Sequence, residues 1–103
     1  MHAIIRKCVT GRNAVEIFAG KIVGNGDLSY LIKRRWRQDQ IQDQILVMPD
    51  DKLIPVMNSE VILANHVTII VAYVDFDNWY SVALYEPRFE DQARMYLDDN
   101  DPL

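Results

Sequence analysis

A short acidic stretch, Asp75-Phe76-Asp77-Asn78, carries the side chains with the clearest chemical potential. Carboxylate and amide oxygens at loop spacing are ligands that Mg²⁺ and Ca²⁺ accept, and Glu86 would supply a third carboxylate. On this interpretation the chain would be a small metal-dependent hydrolase using Asp75, Asp77 and Glu86. The same residue types are also what hairpin loops use for turn hydrogen bonds, so we expect a turn here and no metal.

Aromatic residues around the same stretch suggest a different use. A turn that carries Phe76 and Trp79 between carboxylates has the composition of a protein interface, although such residues also dominate the cores of small domains. We favour the core for Trp79 and weigh core and interface evenly for Phe76. Acidic residues between positions 75 and 101 would meet a basic surface on the partner. The candidate protein-binding residues are Asp75, Phe76, Asp77, Trp79, Glu90 and Asp91.

The densest basic segment, Lys33-Arg34-Arg35-Trp36-Arg37, combines positive charge with one tryptophan. These residues have the chemistry for phosphate contacts and base stacking, which defines the second hypothesis: a single-stranded nucleic-acid or RNA-binding module. On a strand, alternation would separate Trp36 from Lys33, Arg35 and Arg37. The acidic remainder of the chain would also repel a polyanion, so we favour a solvated or protein-binding basic edge.

The residues that catalysis usually needs are scarce. His66 precedes a predicted strand, His2 lies at the terminus, and Cys8 lies in a predicted strand, so we expect a strand-end histidine and a buried thiol. Two histidines and one cysteine are too few for a zinc site. Gly24-x-Gly26 lacks the third glycine of a dinucleotide-binding loop. We therefore expect a protein that is not an enzyme, with no cofactor and no metal.

Length and composition indicate one folded domain. The chain has 103 residues, half of them hydrophobic and a quarter charged, which is ordinary for a globular domain. No apolar run approaches the ~20 residues that a membrane span requires, and no signal-peptide pattern opens the chain. A single cysteine suits a reducing compartment, so we expect a cytoplasmic protein. We assign residues 1–97 to the domain and 98–103 to a solvated acidic tail.

The net charge of −4 conceals a strong asymmetry along the chain. Residues 1–37 carry eight basic and two acidic residues, a balance of +6. Residues 38–103 carry three basic and thirteen acidic residues, a balance of −10. Two surfaces with different partners would explain the split, but a chain this short has one core, so we expect the halves to fold together and partly neutralise.

The Asn-Gly pair at 25–26 is the clearest turn signal, because both residues tolerate the positive φ of a hairpin turn. Pairing about this turn sets Glu16 opposite Arg35, which would be an attractive cross-strand pair. The basic segment would then lie on the second strand of a hairpin. A helix over 27–37, with a capping residue at its start and basic residues at its end, is the competing interpretation.

Hydrophobic periodicity predicts the remaining elements. In chain order they are a strand over 3–9, a short helix over 38–47, a strand over 52–57, one helical turn ending near 65, a buried strand over 67–74, a strand over 79–85 and a helix over 88–97. Together they predict an α+β fold: an antiparallel β-meander sheet of five to seven strands with a short central helix and a C-terminal helix. A small all-β barrel is the alternative.

The preferred functional hypothesis is a non-catalytic protein-binding domain of the inhibitor, immunity or accessory-factor type. It would dock onto a partner macromolecule, such as a nucleic-acid-processing complex, through segregated charged surfaces. Nucleic acid itself is the partner under the second hypothesis, and a membrane is the partner under none. A monomer and a homodimer are both compatible with the sequence.

Overall fold

The computed structural model of the protein describes residues 1–22, 32–36, 42–49 and 52–99. Within these residues the chain forms eight β-strands, one 3₁₀ turn and one α-helix. The strands are β1 (His2–Val9), β2 (Val15–Lys21), β3 (Ile32–Trp36), β4 (Gln42–Val47), β5 (Leu53–Val56), β6 (Asn58–Ala64), β7 (Val67–Tyr73) and β8 (Asn78–Tyr85). A 3₁₀ turn, Pro87–Phe89, leads into the helix α1, Glu90–Asp99.

The strands form two antiparallel sheets. The larger sheet has five strands in the order β2-β1-β8-β7-β6, and the smaller has three in the order β3-β4-β5. Alternate side chains of a strand point to opposite faces of its sheet, so Ile4 and Ile5 of β1 enter different cores. The core around Ile5 also holds Leu46 of the smaller sheet, and the core around Ile4 also holds Leu97 of α1. The larger sheet is therefore the middle of three layers.

Strand β7 shows why the larger sheet is covered on both faces. Its sequence, VTIIVAY, is apolar at nearly every position, and it is buried along most of its length. A strand packed on both faces has no need for the alternation of polar and apolar residues that marks a half-exposed strand. The buried strand predicted over 67–74 and the returning strand predicted over 79–85 are both confirmed.

The fold class is confirmed: the chain is α+β, with antiparallel sheets, a meander through β6, β7 and β8, and a C-terminal helix. The larger sheet has five strands, within the expected five to seven, whereas the second sheet of three strands was not expected. The two sheets do not join into a closed barrel within the described part of the chain, so the all-β barrel is wrong. The apolar faces are covered by layers instead, one of them helical.

Two helices predicted from periodicity are strands in the structure. The central helix predicted over 38–47 is wrong where the structure describes it, because those residues form β4. Leu46 and Met48 enter the same core two residues apart, which is the period of a strand. The helical turn predicted to end near residue 65 is also wrong, since β6 pairs with β7 along its whole length. Pairing and burial outweighed the local pattern in both segments.

The hairpin predicted between the second and third strands is wrong as well. Strand β2 pairs with β1 in the larger sheet, and β3 pairs with β4 in the smaller one. Glu16 therefore lies opposite Arg6, and Arg35 lies opposite Asp43. The competing helix over 27–37 is wrong for the part that forms β3, and the proposed turn itself lies outside the described residues. Each strand pairs within a sheet that packs on a core, and this outweighs a local turn signal.

The C-terminal helix, predicted from the sequence, covers the outer face of the larger sheet. Its buried side chains are Ala93 and Leu97. Two ion pairs attach its exposed side, one from Arg6 Nη1 to Asp98 Oδ1 at 2.5 Å and one from Arg94 Nη1 to Glu16 Oε1 at 2.6 Å. The helix includes the first two residues that were assigned to the acidic tail. No helix in the described ranges is long and apolar enough to cross a membrane.

The stability of the fold is expected to depend on pH in the alkaline range through the phenol group of Tyr85. Its side chain is only 2% exposed, and burial, followed by the charge of Glu90, raises the pKa of Tyr85 above its ordinary value of 10.0. The folded state therefore holds the phenol proton more tightly than the unfolded state does. The resulting stability is complete below pH 10.0 and is lost as the pH rises through the folded pKa.

We expect the free energy of unfolding to fall above about pH 10 and to fall less steeply in Tyr85→Phe. Urea unfolding followed by circular dichroism between pH 8 and about pH 11 measures both slopes. Parallel slopes for the wild type and the variant would show that Tyr85 does not contribute to the pH dependence.

Candidate functional site

The turn between β7 and β8 is held by its own polar groups. The Asp75 carboxylate accepts hydrogen bonds from the Asn78 side-chain amide at 2.9 Å and from the Asp77 backbone N–H at 2.8 Å. The backbone N–H groups of Val74 and Asp75 donate to the Asn78 carbonyl oxygen at 2.9 and 3.1 Å. The Asn78 side chain, followed by the Asp77 backbone, lowers the pKa of Asp75. The predicted turn is confirmed, and the Asp75 carboxylate organises it.

Phe76 projects from this turn into solvent. Its side chain is 88% exposed, the highest value among the large apolar residues that the structure describes. The neighbouring turn between β1 and β2 contacts the turn that carries Phe76, because the Thr10 N–H donates a hydrogen bond to the Asp77 carbonyl oxygen at 2.9 Å. In that neighbouring turn Gly11 adopts a φ of 76°, which favours glycine. A bulky aromatic side chain is thus presented outward by two interlocked turns.

A cleft of about 390 Å³ opens beside Phe76, on the face of the larger sheet that also carries α1. We call it the aromatic cleft, because three of its seven lining residues are aromatic. Its lining residues are Thr10, Glu60, Ile62, Val71, Tyr73, Phe76 and Trp79. Trp79 is 6% exposed and forms the floor, whereas Tyr73 is half-buried. Apolar and aromatic walls with a few polar groups are typical of binding sites.

The aromatic cleft is open because α1 reaches only part of this face. Strand β8 begins at the turn and ends at Tyr85, from where the chain enters α1. The far end of α1 is attached through Asp98 to Arg6, which lies opposite Ser81 in the middle of β8. The helix therefore runs from the Tyr85 end of the sheet back toward its middle. Trp79 lies nearer the turn, on the part of the face beyond the helix.

Strand β6 forms one wall of the aromatic cleft and is the outermost strand of the larger sheet. Glu60 and Ile62 line the cleft, and Ile62 is 38% exposed. Edge strands usually carry a lysine, a proline or a bulge that discourages further pairing. Strand β6 contains none of these, and its register with β7 is continuous. The outermost strand of the larger sheet therefore borders the aromatic cleft directly.

Negative charge surrounds this region. Glu60 is the one charged side chain among the described residues that line the aromatic cleft, and Asp75 and Asp77 flank Phe76. The neighbouring turn contributes one exposed basic residue, Arg12. The balance of these four side chains is negative, which suits a positively charged ligand.

The candidate protein-binding residues fall into two groups in the structure. Asp75, Phe76, Asp77 and Trp79 lie together at the start of β8, whereas Glu90 and Asp91 lie at the start of α1, past the other end of β8. Glu90 is also 3.6 Å from Arg94 within the helix. These two acidic residues are exposed, but they are not next to the aromatic cleft.

The three carboxylates of the metal-dependent hydrolase hypothesis do not come together. Asp75 and Asp77 precede β8 and Glu86 follows it, so the eight residues of the strand separate them by roughly 25 Å. No group of three or more histidine, cysteine, aspartate or glutamate side chains close enough to hold a metal occurs among the residues that the structure describes. The proposed ligands thus form no site.

The basic segment lies in the other sheet. Its described residues are Lys33, Arg34, Arg35 and Trp36, which form most of β3 at one edge of the smaller sheet. Arg37 lies outside the described residues. The backbone register sets Arg35 opposite Asp43 of β4. The segment therefore belongs to a different layer from the aromatic cleft.

His66 and Cys8 occupy structural positions. His66 lies in the turn between β6 and β7 with a φ of 61°, and its ring stacks on Phe89 with centroids 4.2 Å apart. Cys8 is buried, with Sγ 3.8 Å from Ser81 Oγ. Both positions match the expectation of a strand-end histidine and a buried thiol.

Several residues of the aromatic cleft were not candidates from the sequence. They are Thr10, Glu60, Ile62, Val71 and Tyr73. The available signal was the apolar run over 61–63 followed by a turn at 65–66, which is typical of a strand entering a hairpin. A strand assignment there would have placed Glu60 and Ile62 on one face.

No family model matches this chain, and no match to it occurs among the curated proteins or the solved structures. The geometry of the site is therefore the basis of the proposed function.

Proposed function

We propose that this chain is a non-catalytic protein-binding domain of the inhibitor, immunity or accessory-factor type. It docks onto a basic partner through a docking surface made of Phe76, the aromatic cleft and the exposed edge of β6. The observation that carries the proposal is Phe76, an aromatic side chain held 88% exposed by a hydrogen-bonded turn beside a cleft.

The docking surface exposes apolar side chains at Phe76 and Ile62, which both line the aromatic cleft. Phe76 is 88% exposed, and fully burying such a side chain contributes roughly 1.5–3 kcal/mol. Domains that bind nothing rarely keep large apolar side chains together at the surface, because contiguous patches promote association. Aromatic residues seated at the centre of an interface supply most of its binding energy. Phe76 is therefore the residue on which we expect the complex to depend most.

The charge of the docking surface indicates the partner's charge. Glu60, Asp75 and Asp77 are opposed only by Arg12 among the described residues of the cleft and its two neighbouring turns. A negative patch speeds encounter with a positive surface and disfavours other partners. Proteins that handle nucleic acid carry such positive surfaces, because they neutralise phosphates. A protein of a nucleic-acid-processing complex is therefore the partner class that we propose.

A protein captured from the native host tests the proposal, with Asp77→Lys as the test and Glu86→Lys as the charge-matched control. Both side chains are exposed, and the turn uses the Asp77 backbone, so the change leaves the turn bonds in place. We expect Asp77→Lys to slow association about tenfold at low salt, and Glu86→Lys, at the other end of β8, to change it less than about twofold. Biolayer interferometry with the captured protein measures both rates.

Two results would contradict the proposal. One is the capture of no host protein in near-stoichiometric amount. The other is equal slowing by Asp77→Lys and Glu86→Lys, because net charge and not the docking surface would then govern association.

A further inference from the structure

We infer that the aromatic cleft binds an arginine side chain of the partner. The inference rests on the proposed function for the partner being a protein, and it adds the chemical group that the cleft recognises. Three properties of the lining carry it: its aromatic rings, its single carboxylate and its size.

The aromatic rings favour a cation. The faces of tryptophan, tyrosine and phenylalanine rings carry negative potential and attract ammonium and guanidinium groups. Tyr73 and Phe76 both line the cleft and retain exposed surface, above the floor formed by Trp79. Guanidinium is planar and weakly hydrated, so it stacks on such rings better than the compact ammonium of lysine does.

The polar groups of the lining are acceptors that suit a guanidinium group. Glu60 supplies a carboxylate, and the Thr10 and Tyr73 hydroxyl oxygens can also accept hydrogen bonds. A guanidinium group has five N–H donors and no acceptor, so it needs partners of this kind. None of the described lining residues is basic. A phosphate or carboxylate ligand would instead meet Glu60 without a compensating positive charge.

The size and place of the cleft suit a side chain presented by a docked protein. Its volume of about 390 Å³ is near the lower end of the range of roughly 300–1,000 Å³ that small-molecule sites occupy. Phe76 and Ile62 both line it, and each belongs to an exposed part of the docking surface. A partner that covers the turn and the β6 edge therefore lies directly over the opening.

A titration with two matched probes tests the inference on the intact chain without the partner. N-acetyl-argininamide carries the guanidinium group, and N-acetyl-citrullinamide has the same shape without the charge. Two-dimensional NMR follows the Trp79 indole N–H, assigned with Trp79→Phe, and the backbone amides of Glu60 and Tyr73. We expect saturable shifts with the arginine probe at a Kd on the order of 1–10 mM, and binding of the citrulline probe at least about tenfold weaker.

The variants Glu60→Gln and Glu86→Gln form the control pair. Both residues are exposed, so neither change is expected to disturb folding, and a thermal melt checks this. We expect Glu60→Gln to weaken the arginine probe at least about fivefold and Glu86→Gln to leave its affinity unchanged.

Several outcomes would overturn the inference. They are the absence of saturable shifts around Trp79, and equal affinity for the arginine and citrulline probes. A third is equal affinity for N-acetyl-phenylalaninamide, which would show that the cleft selects apolar groups as readily as cations. In these cases a partner could still be captured through Phe76, so the proposed function would stand. Conversely, arginine binding without any captured partner would support the recognition chemistry and contradict the proposed function.

Discussion

Replacing Phe76 with alanine is expected to weaken binding to the captured partner by about thirtyfold or more. A central aromatic contact contributes about 2 kcal/mol or more when it is buried at an interface, and that corresponds to this change in Kd. The stability of the free chain is expected to change little, because a side chain that is 88% exposed makes few contacts in the fold. We expect the free energy of unfolding to change by no more than about 0.5 kcal/mol.

Met95→Ala is the matched control for this prediction. Met95 is an exposed apolar residue on α1, outside the docking surface, so its replacement removes a similar apolar side chain at a different place. Isothermal titration calorimetry gives the two Kd values, and urea unfolding gives the two stabilities. If Phe76→Ala and Met95→Ala bound equally well, the interface would lie elsewhere.

Replacing Leu97 with alanine is expected to cost about 3 kcal/mol of stability. Leu97 is 2% exposed and belongs to the core between α1 and the larger sheet. Truncating a buried leucine loses its transfer free energy and leaves a cavity, and such changes cost about 2–5 kcal/mol. The loss is a large fraction of the roughly 5–15 kcal/mol that stabilises a typical domain.

Met95→Ala serves again as the comparison, because it lies two residues away on the same helix and is exposed. Equilibrium urea unfolding gives the free energy of each variant, and hydrogen exchange shows whether α1 opens before the sheet. A loss below about 1 kcal/mol for Leu97→Ala would mean that the helix contributes little to the fold.

The elements that were predicted correctly have strong local signals. A continuous apolar run marks β7, the Asp-Phe-Asp-Asn stretch marks the turn, and Pro87 before an amphipathic segment marks the start of the C-terminal helix. Each signal acts over a few neighbouring residues, and no long-range pairing is needed to interpret it. The predicted role of Asp75 in the turn follows from the same local chemistry.

The wrong predictions concern segments whose structure depends on distant partners. The apolar residues over 41–48 fit a helical period, yet Leu46 and Met48 pack as strand residues against the larger sheet. The Asn-Gly pair at 25–26 predicted that β2 and β3 would pair, but β2 instead pairs with β1. Neither sheet pairing can be deduced from sequence spacing alone, because it is decided by which faces a shared core buries.

The aromatic cleft could not be predicted from the sequence, because it too depends on the packing of distant segments. It combines residues from β6, β7, β8 and two turns, and it exists because α1 stops short of Trp79. The sequence indicated the aromatic residues near Phe76 but not the strand that carries Glu60. Once β6 was interpreted as a helical turn, the wall of the cleft could not be predicted.

The charge asymmetry of the sequence is partly explained by the fold. Arg6, from the basic part of the chain, pairs with Asp98 from the acidic part, as expected for halves that fold together. Glu16 and Arg94 make the reverse pairing, and the hydrogen bond from Arg94 to Glu16 raises the pKa of Arg94. Within the described residues no such ion pair involves Glu60, Asp75 or Asp77, and our proposal assigns their charge to contacts with a partner.

A photo-crosslinker at position 76 shows whether the turn that carries Phe76 contacts a partner protein. Benzoylphenylalanine in place of Phe76 keeps an aromatic side chain on the turn, and the same group in place of Met95 is the control. Irradiation in the native host is predicted to give one dominant crosslinked protein from position 76 and not from position 95, with the linked peptide drawn from a basic surface. The same proteins from both positions, or none from position 76, would contradict the account.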